Sequence, residues 1–221
     1  GKIDIKYMTA KEEDILTSEN LIKKGLVIDK LLNSLILTKG ITVDNLIVGD
    51  KNAVMVAARI LAYGPSYSVE LDNQYTGGKF EHIFDLTSCP FKELPEDVDY
   101  SSGDFEFYLP ASKVNIKFKL LTGKEESKID AEVKRTSKFG NSTEMTSRLR
   151  HIITEVDGES DASVINNFVS NMLSRDSLAL REELQRITPD IILKQEVDME
   201  GEMVEVDIPL TANFFWPTTG G

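Results

Sequence analysis

Residues 51–86 read KNAVMVAARILAYGPSYSVELDNQYTGGKFEHIFDL, and the hydrophobic period changes inside them. Up to Tyr63 the apolar positions Val54, Met55, Ala57, Ala58, Leu61 and Ala62 are nearly continuous around a helix, which Asp50 is placed to cap from Lys51. Gly64-Pro65 must end that helix, because proline has no N–H to donate and its ring clashes with the preceding turn. Past Gly64, Tyr67, Val69 and Leu71 alternate with Ser68, Glu70 and Asp72. Asn73 to Gly78 then form a turn, and Phe80 to Leu86 return as a second strand. A central helix feeding directly into a hairpin predicts an α+β fold.

Upstream, Thr9 and Glu12 have the capping-box spacing that starts a short helix. Gly25 interrupts the next apolar run. Val27, Leu31, Leu32, Leu35 and Ile36 then recur at helical spacing, and Lys39-Gly40 supplies the expected stop. Downstream, Pro90, Pro95 and Glu96-Asp97-Val98-Asp99 make a loop, and Phe105 to Leu109 with Val114 to Leu120 read as a strand pair around Pro110-Ala111-Ser112. Four helices follow. One covers roughly Lys124 to Arg135, and one capped by Asn141 and Glu144 runs to about Val156. A third runs from Ser160 or Asp161 through Leu173, and a fourth from Ser174 or Asp176 stops before Pro189. The chain closes with a hairpin, Ile191 to Val197 and Met203 to Ile208 about Glu200-Gly201, and with Asn213-Phe214-Phe215-Trp216-Pro217. The expected organisation is 1–65 helical, 66–122 antiparallel β, 123–190 helical and 191–221 hairpin plus aromatic tail, in one or two compact domains. Ser66 to Phe91 and Ile191 to Pro217 echo one another as hairpin, then aromatic beside proline, so helix-then-hairpin is a candidate repeat.

The composition narrows function. With 221 residues, of which 41% are hydrophobic and 28% charged, the chain is of ordinary globular make-up. It can bury roughly 70% of its unfolded surface without a staple. Its apolar runs are far too short to cross a bilayer. A net charge of −12 opposes attraction to nucleic acid or anionic lipid. The single cysteine, Cys89, excludes a disulfide within the chain, and the first residues lack a basic-plus-apolar signal segment, so a reducing, cytosolic setting is expected. Only two histidines, His82 and His151, are present for acid–base work near neutral pH.

Candidate chemical sites are sparse. Gly77-Gly78-Lys79 and Gly123-Lys124 lack the upstream glycine and the following Ser or Thr of a phosphate loop. Asp97, Asp99 and Ser101 imitate the start of a calcium loop, but Ser102 and Tyr108 stand where glycine and glutamate are needed. Glu196, Asp198, Glu200, Glu202 and Glu205 make a charged hairpin, not a defined acid pair. Cys89 and His82 are the one plausible nucleophile–base pair, although His82 shares strand parity with Phe80 and Phe84, as a sheet residue would. The most unusual feature is Phe214-Phe215-Trp216-Pro217: three adjacent aromatics need a partner surface, either this chain's own core or another protein. An extended segment puts Phe214 and Trp216 on the same side and Phe215 on the other, yet Phe214 is expected inward and Trp216 exposed.

Met8-Thr9-Ala10-Lys11-Glu12-Glu13-Asp14-Ile15-Leu16-Thr17, Leu21-Ile22-Lys23-Lys24-Gly25 and Val48-Gly49-Asp50-Lys51 resemble the opening of baseplate hub and hub-assembly proteins of T-even-like contractile-tailed phages. Asp176-Ser177 through Leu180-Arg181, Pro189-Asp190-Ile191 and the closing Phe214-Phe215-Trp216-Pro217 look like the same family's C-terminal half. The resemblance covers both ends and fades between Cys89 and Ser160. It implies a non-enzymatic hub component or chaperone-like assembly factor in the host cytoplasm, working through contacts with other tail proteins. Homo-oligomerisation and retention in the virion baseplate are left open. The resemblance also implies two degenerate zinc-ribbon-like hairpins. Relatives with Cys-x-x-Cys pairs in such turns can hold zinc on four thiolates; Asp72 to Gly78 and Asp198 to Met203 contain no cysteine, so no metal or other cofactor is expected. Phe214, Phe215 and Trp216, with Arg181 on the preceding helix, are the expected partner-binding residues. The competing expectation is a hydrolase that processes a hub subunit with Cys89 and His82.

Overall fold

The computed structural model describes residues 1–137, 143–210 and 214–216. The element order is α1 (Ala10–Leu16), α2 (Glu19–Lys24), α3 (Val27–Leu35), α4 (Val48–Tyr63), β1 (Ser66–Asp72), β2 (Lys79–Asp85), β3 (Asp104–Tyr108) and β4 (Asn115–Lys119). It continues with α5 (Gly123–Ser137), α6 (Glu144–Ile152), β5 (Ile153–Val156), α7 (Ala162–Ser170), α8 (Ser174–Ile187), β6 (Lys194–Met199) and β7 (Glu202–Asp207). The protein is α+β: helices with small antiparallel sheets, ordered β1-β2, β3-β4-β5 and β6-β7.

Two compact units divide the chain. The first combines Gly1–Val43, Gly49–Lys92 and Asp190–Gly221; the second combines Asp44–Val48 and Glu93–Pro189. The antiparallel region expected over 66–122 is therefore shared out. Hairpin β1-β2 belongs with the helical N-terminal region and with β6-β7, whereas β3 and β4 pair with β5. The reason is that strands are sorted by long-range packing, not by order along the chain.

In the first unit, α1 is started by its capping box: Glu12 Oε2 accepts from the Thr9 backbone N–H at 3.0 Å and from the Thr9 hydroxyl at 2.6 Å. The other oxygen of Glu12 meets Lys6 Nζ at 2.7 Å, and the side chain is 1% exposed. Bonding to Lys6 and Thr9 outweighs burial and pulls the Glu12 carboxyl down to about 2. Because the folded value lies below the unfolded one, the stabilisation is full above the ordinary carboxylate range near 4.5 and is lost as pH falls through about 2. Allowing for solvent around Lys6, it is worth about 2 kcal/mol. Glu12→Gln should remove most of that at pH 7 and almost none near pH 2 in urea titrations; equal losses at both pH values would refute the ionic origin.

Gly25 closes α2 with φ +67°, a left-handed conformation open to glycine, while Leu26 N–H reaches back to Leu21 O at 2.9 Å. This turn redirects the chain into α3, which buries Val27, Leu31, Leu32 and Leu35. α3 ends at Leu35, before the expected stop at Lys39-Gly40, because Ile36 leaves the helix to bridge Ile5 and Leu37 N–H donates to Asp4 O at 2.8 Å. α4 starts at Val48, earlier than Lys51, so Asp50 lies in its first turn instead of capping it. Gly64-Pro65 ends α4 as expected. The two hairpins meet at their base, where Phe91 bridges Ile191 and Lys92 N–H donates to Asp190 O at 2.9 Å.

The second unit packs β3-β4-β5 against α6, α7 and α8 around Phe105, Ile116, Phe118, Leu149, Val169 and Leu180. The helix expected to run to about Val156 stops at Ile152, and Ile153 to Val156 pair instead with β4. The proposed cap Asn141 lies outside the described residues. The helices expected from Lys124, from Asp161 and from Ser174 are present as α5, α7 and α8; Asp161 caps α7 by accepting from Ser163 N–H at 2.7 Å. Asp176, fully buried in the first turn of α8, accepts from the backbone N–H groups of Ala111 at 2.7 Å and Ser112 at 2.9 Å, clasping the β3-β4 turn. Among the described residues, no helix is long and apolar enough to cross a membrane.

Candidate functional site

The residues after β7 return to the helices of the first unit. Phe214 and Phe215 are each 1% exposed and pack edge to face on one another, centroids 5.2 Å apart. Trp216 is half-buried, and Pro217 lies outside the described residues. These aromatics close one wall of an apolar cavity of about 220 Å3, with Leu210 beside them. Ile22, Gly25, Val27 and Ile28 from the α2-α3 corner make the facing wall, and Met55 of α4 also contributes. The left-handed turn at Gly25 is what lets α2 and α3 offer adjacent apolar ends. Ile22 is 51% exposed, and neighbouring Leu26 is exposed as well, so apolar surface continues at the α2-α3 corner.

A buried arginine positions the aromatic wall. Arg59, 3% exposed on α4, donates from Nη1 to Gly64 O at 3.1 Å and from Nη2 to Ser66 O at 3.2 Å. Its guanidinium lies over the rings of Tyr63 and Tyr67, 5.1 and 5.8 Å from the centroids. Burial pulls its pKa down from the ordinary arginine value. Cation–π contact and two carbonyls thus supply what no carboxylate does among the interactions described for it. Tyr67 in turn donates its hydroxyl to Pro209 O at 3.0 Å and packs edge-on against Phe214 at 5.0 Å. From Arg59 through Tyr67, α4 and β1 therefore fix where Phe214 sits.

The remaining candidates have local uses. Arg181 is exposed on α8, donating to Ser177 O at 3.3 Å, and belongs to the second compact unit, so it is not part of the aromatic wall's own unit. His82 stacks edge-on with Phe84 at 4.7 Å on β2. Cys89 is buried next to Gln195 Nε2 at 3.7 Å, and burial pushes its thiol up, the opposite of what a thiolate nucleophile needs. Asp99 accepts from Ser101 N–H at 2.8 Å as a local turn, while Asp97 pairs with Arg186 at 3.1 Å. Gly123 opens α5, where Glu125 accepts from Thr122 N–H at 2.9 Å in a capping role; Lys79 pairs with Glu70 at 2.6 Å. At the hairpin tips, Asn73 Oδ1 accepts from Tyr75 and Thr76 N–H at 2.9 and 3.1 Å, and Asp198 Oδ1 accepts from Gly201 N–H at 2.7 Å. Side-chain oxygens organise these turns. Among the described residues, no group of three or more His, Cys, Asp or Glu side chains is arranged to hold a metal ion.

Sequence reasoning located the aromatics but missed the wall facing them. The available signal was Ile22 and Leu26, apolar residues flanking a glycine and outside the buried stripe of α3. In comparisons with known proteins, no family model, no curated protein and no solved structure matches this chain.

Proposed function

We propose that this chain is a non-enzymatic component or chaperone-like assembly factor of a contractile-tailed phage baseplate hub, acting in the host cytoplasm through contacts with other tail proteins. The observation that carries this reading is the apolar cavity between the α2-α3 corner and Phe214–Trp216, rimmed by exposed Ile22. It is a surface suited to an apolar anchor from another chain, since buried aromatics beside open apolar surface are the usual make-up of interface centres. The resemblance at 8–51 and 176–217 supplies the biological setting, and both of its ends contribute residues to the cavity.

The test is recovery of partners. The chain, tagged at its N-terminus and expressed during infection, should copurify with baseplate hub proteins in fixed stoichiometry. Recovery of no tail protein above an untagged control would overturn the reading. Finding those partners only on precursors would mark an assembly factor, and on mature particles a component.

A further inference from the structure

Strand β3 stands at the edge of its sheet, with β4 as its one neighbour in the order β3-β4-β5. The register decides which of its main-chain groups are free. Leu109 N–H donates to Val114 O at 2.9 Å, so, counting back along the ladder, Phe107 and Phe105 are hydrogen-bonded to Ile116 and Phe118, while Tyr108 and Glu106 face Asn115 and Lys117 at the alternate, non-bonded positions. The β4 side agrees, because Asn115 O points away from β3 and accepts from Asp157 N–H at 2.8 Å. The N–H and C=O of Glu106 and Tyr108 therefore point outward from the sheet, and no main-chain or side-chain partner meets them among the described residues. Asp104 differs: Ser102 Oγ accepts from its N–H at 3.3 Å and donates to its O at 2.8 Å, which closes the edge at that end.

We infer that this outer edge takes an extended, basic segment of another protein as an added strand. Outward N–H and C=O groups in strand geometry are matched by another main chain in extended form, which pairs with them directly. Charge selects which one. A groove of about 430 Å3 runs beside the first half of β3, and its lining carries the carboxylates of Asp97, Asp99, Asp104, Glu106 and Glu183 against the guanidinium of Arg186, already shared between Glu183 and Asp97. The lysines across the sheet are spent elsewhere, Lys117 on Glu155 and Lys119 on Glu125. A second copy pairing through the same edge would set Asp104 and Glu106 against their own equivalents, and like charges across strands repel. A segment alternating Lys or Arg with apolar residues brings cations to Glu106 on the exposed face and apolar side chains to the face of Phe105 and Phe107.

The probe is a synthetic peptide of about ten residues alternating Lys and Val. One control replaces each Lys by Glu; another keeps the lysines but is N-methylated at alternate residues, so that it cannot donate along one edge. With the full chain, the Lys peptide should bind saturably, more weakly as salt rises, and slow hydrogen exchange at the Glu106 and Tyr108 amides. The Glu and N-methylated peptides should each bind about tenfold more weakly or less. Asp104→Asn with Glu106→Gln, both exposed, should keep the melting temperature and lower affinity for the Lys peptide about tenfold. Tyr108→Pro removes an outward donor without touching the β4 ladder and should abolish binding; should that variant melt early, the N-methylated peptide makes the same test on the unaltered chain. Equal binding of the Lys and Glu peptides, no loss on N-methylation, protection that spares Glu106 and Tyr108, or no binding at all would each refute the added strand. So would self-association that protects those amides without any peptide. This edge belongs to the second unit and stands apart from the hub reading, so neither result bears on the partners recovered from infected cells.

Discussion

Phe214→Ala and Phe215→Ala should each lower the stability of the chain by about 3–5 kcal/mol, a fall of roughly 10 °C in melting temperature. Both rings are essentially inaccessible, and each sits in an edge-to-face contact, Phe214 with Tyr67 and with Phe215. Removing either leaves a hole whose wall is held by Arg59 and Tyr67 and so cannot easily collapse. Trp216→Ala, at a half-buried position, should cost far less and keep the melting temperature within a few degrees. Truncation after Asn213 should behave like the phenylalanine variants. A truncated chain that melts normally would show that Phe214 and Phe215 are not core, and the cavity wall built on them would go with it.

The second large effect is expected at Asp176. Its buried carboxylate gathers two backbone N–H groups from the β3-β4 turn at 2.7 and 2.9 Å, within the first turn of α8. Burial alone would raise its pKa, but the Ala111 and Ser112 donors prevail and the net shift is downward. Asp176→Ala leaves two donors without their acceptor in a closed site, for a loss of about 2–4 kcal/mol by urea denaturation. Asp176→Asn keeps one acceptor oxygen but presents an amide N–H2 to the second donor, and should fall between the two. A loss under about 0.5 kcal/mol for the alanine variant would mean that α8 does not depend on this clasp.

Local chemistry explains which elements could be read in advance. The period change at Gly64-Pro65, the capping box at Thr9 and the turn at Asn73 to Gly78 are all decided by residues adjacent in the chain, and each is where the spacing placed it. β5 could not be read that way. Ile153 to Val156 follow α6 without a break and become a strand only by pairing with Phe118, Lys117 and Ile116. The same applies to the early end of α3, which Ile5 and Asp4 impose from outside the helix. At the candidate site, three aromatics in a row were conspicuous, and the burial of Phe214 followed the expected inward placement. Phe215 was not expected to share that burial, because strand alternation puts neighbours on opposite sides; here Phe214 is in a 3-10 turn and the backbone bends at Phe215 and Trp216, so the segment is not extended and both phenylalanine rings enter the core. Met55 and Ile22 gain their role only because the C-terminal segment returns to α2, α3 and α4, a contact no local pattern encodes.

The central claim is a required part in hub assembly through protein contacts. The most direct measurement is electron microscopy of tail structures from an infection in which the coding segment for this chain has been deleted, with complementation by the intact chain as control. The expected result is loss of complete hub-bearing baseplates, restored by the intact chain and not by the variant carrying Ile22→Asp in the cavity lining. Complete, normal baseplates formed in the absence of the chain would contradict it.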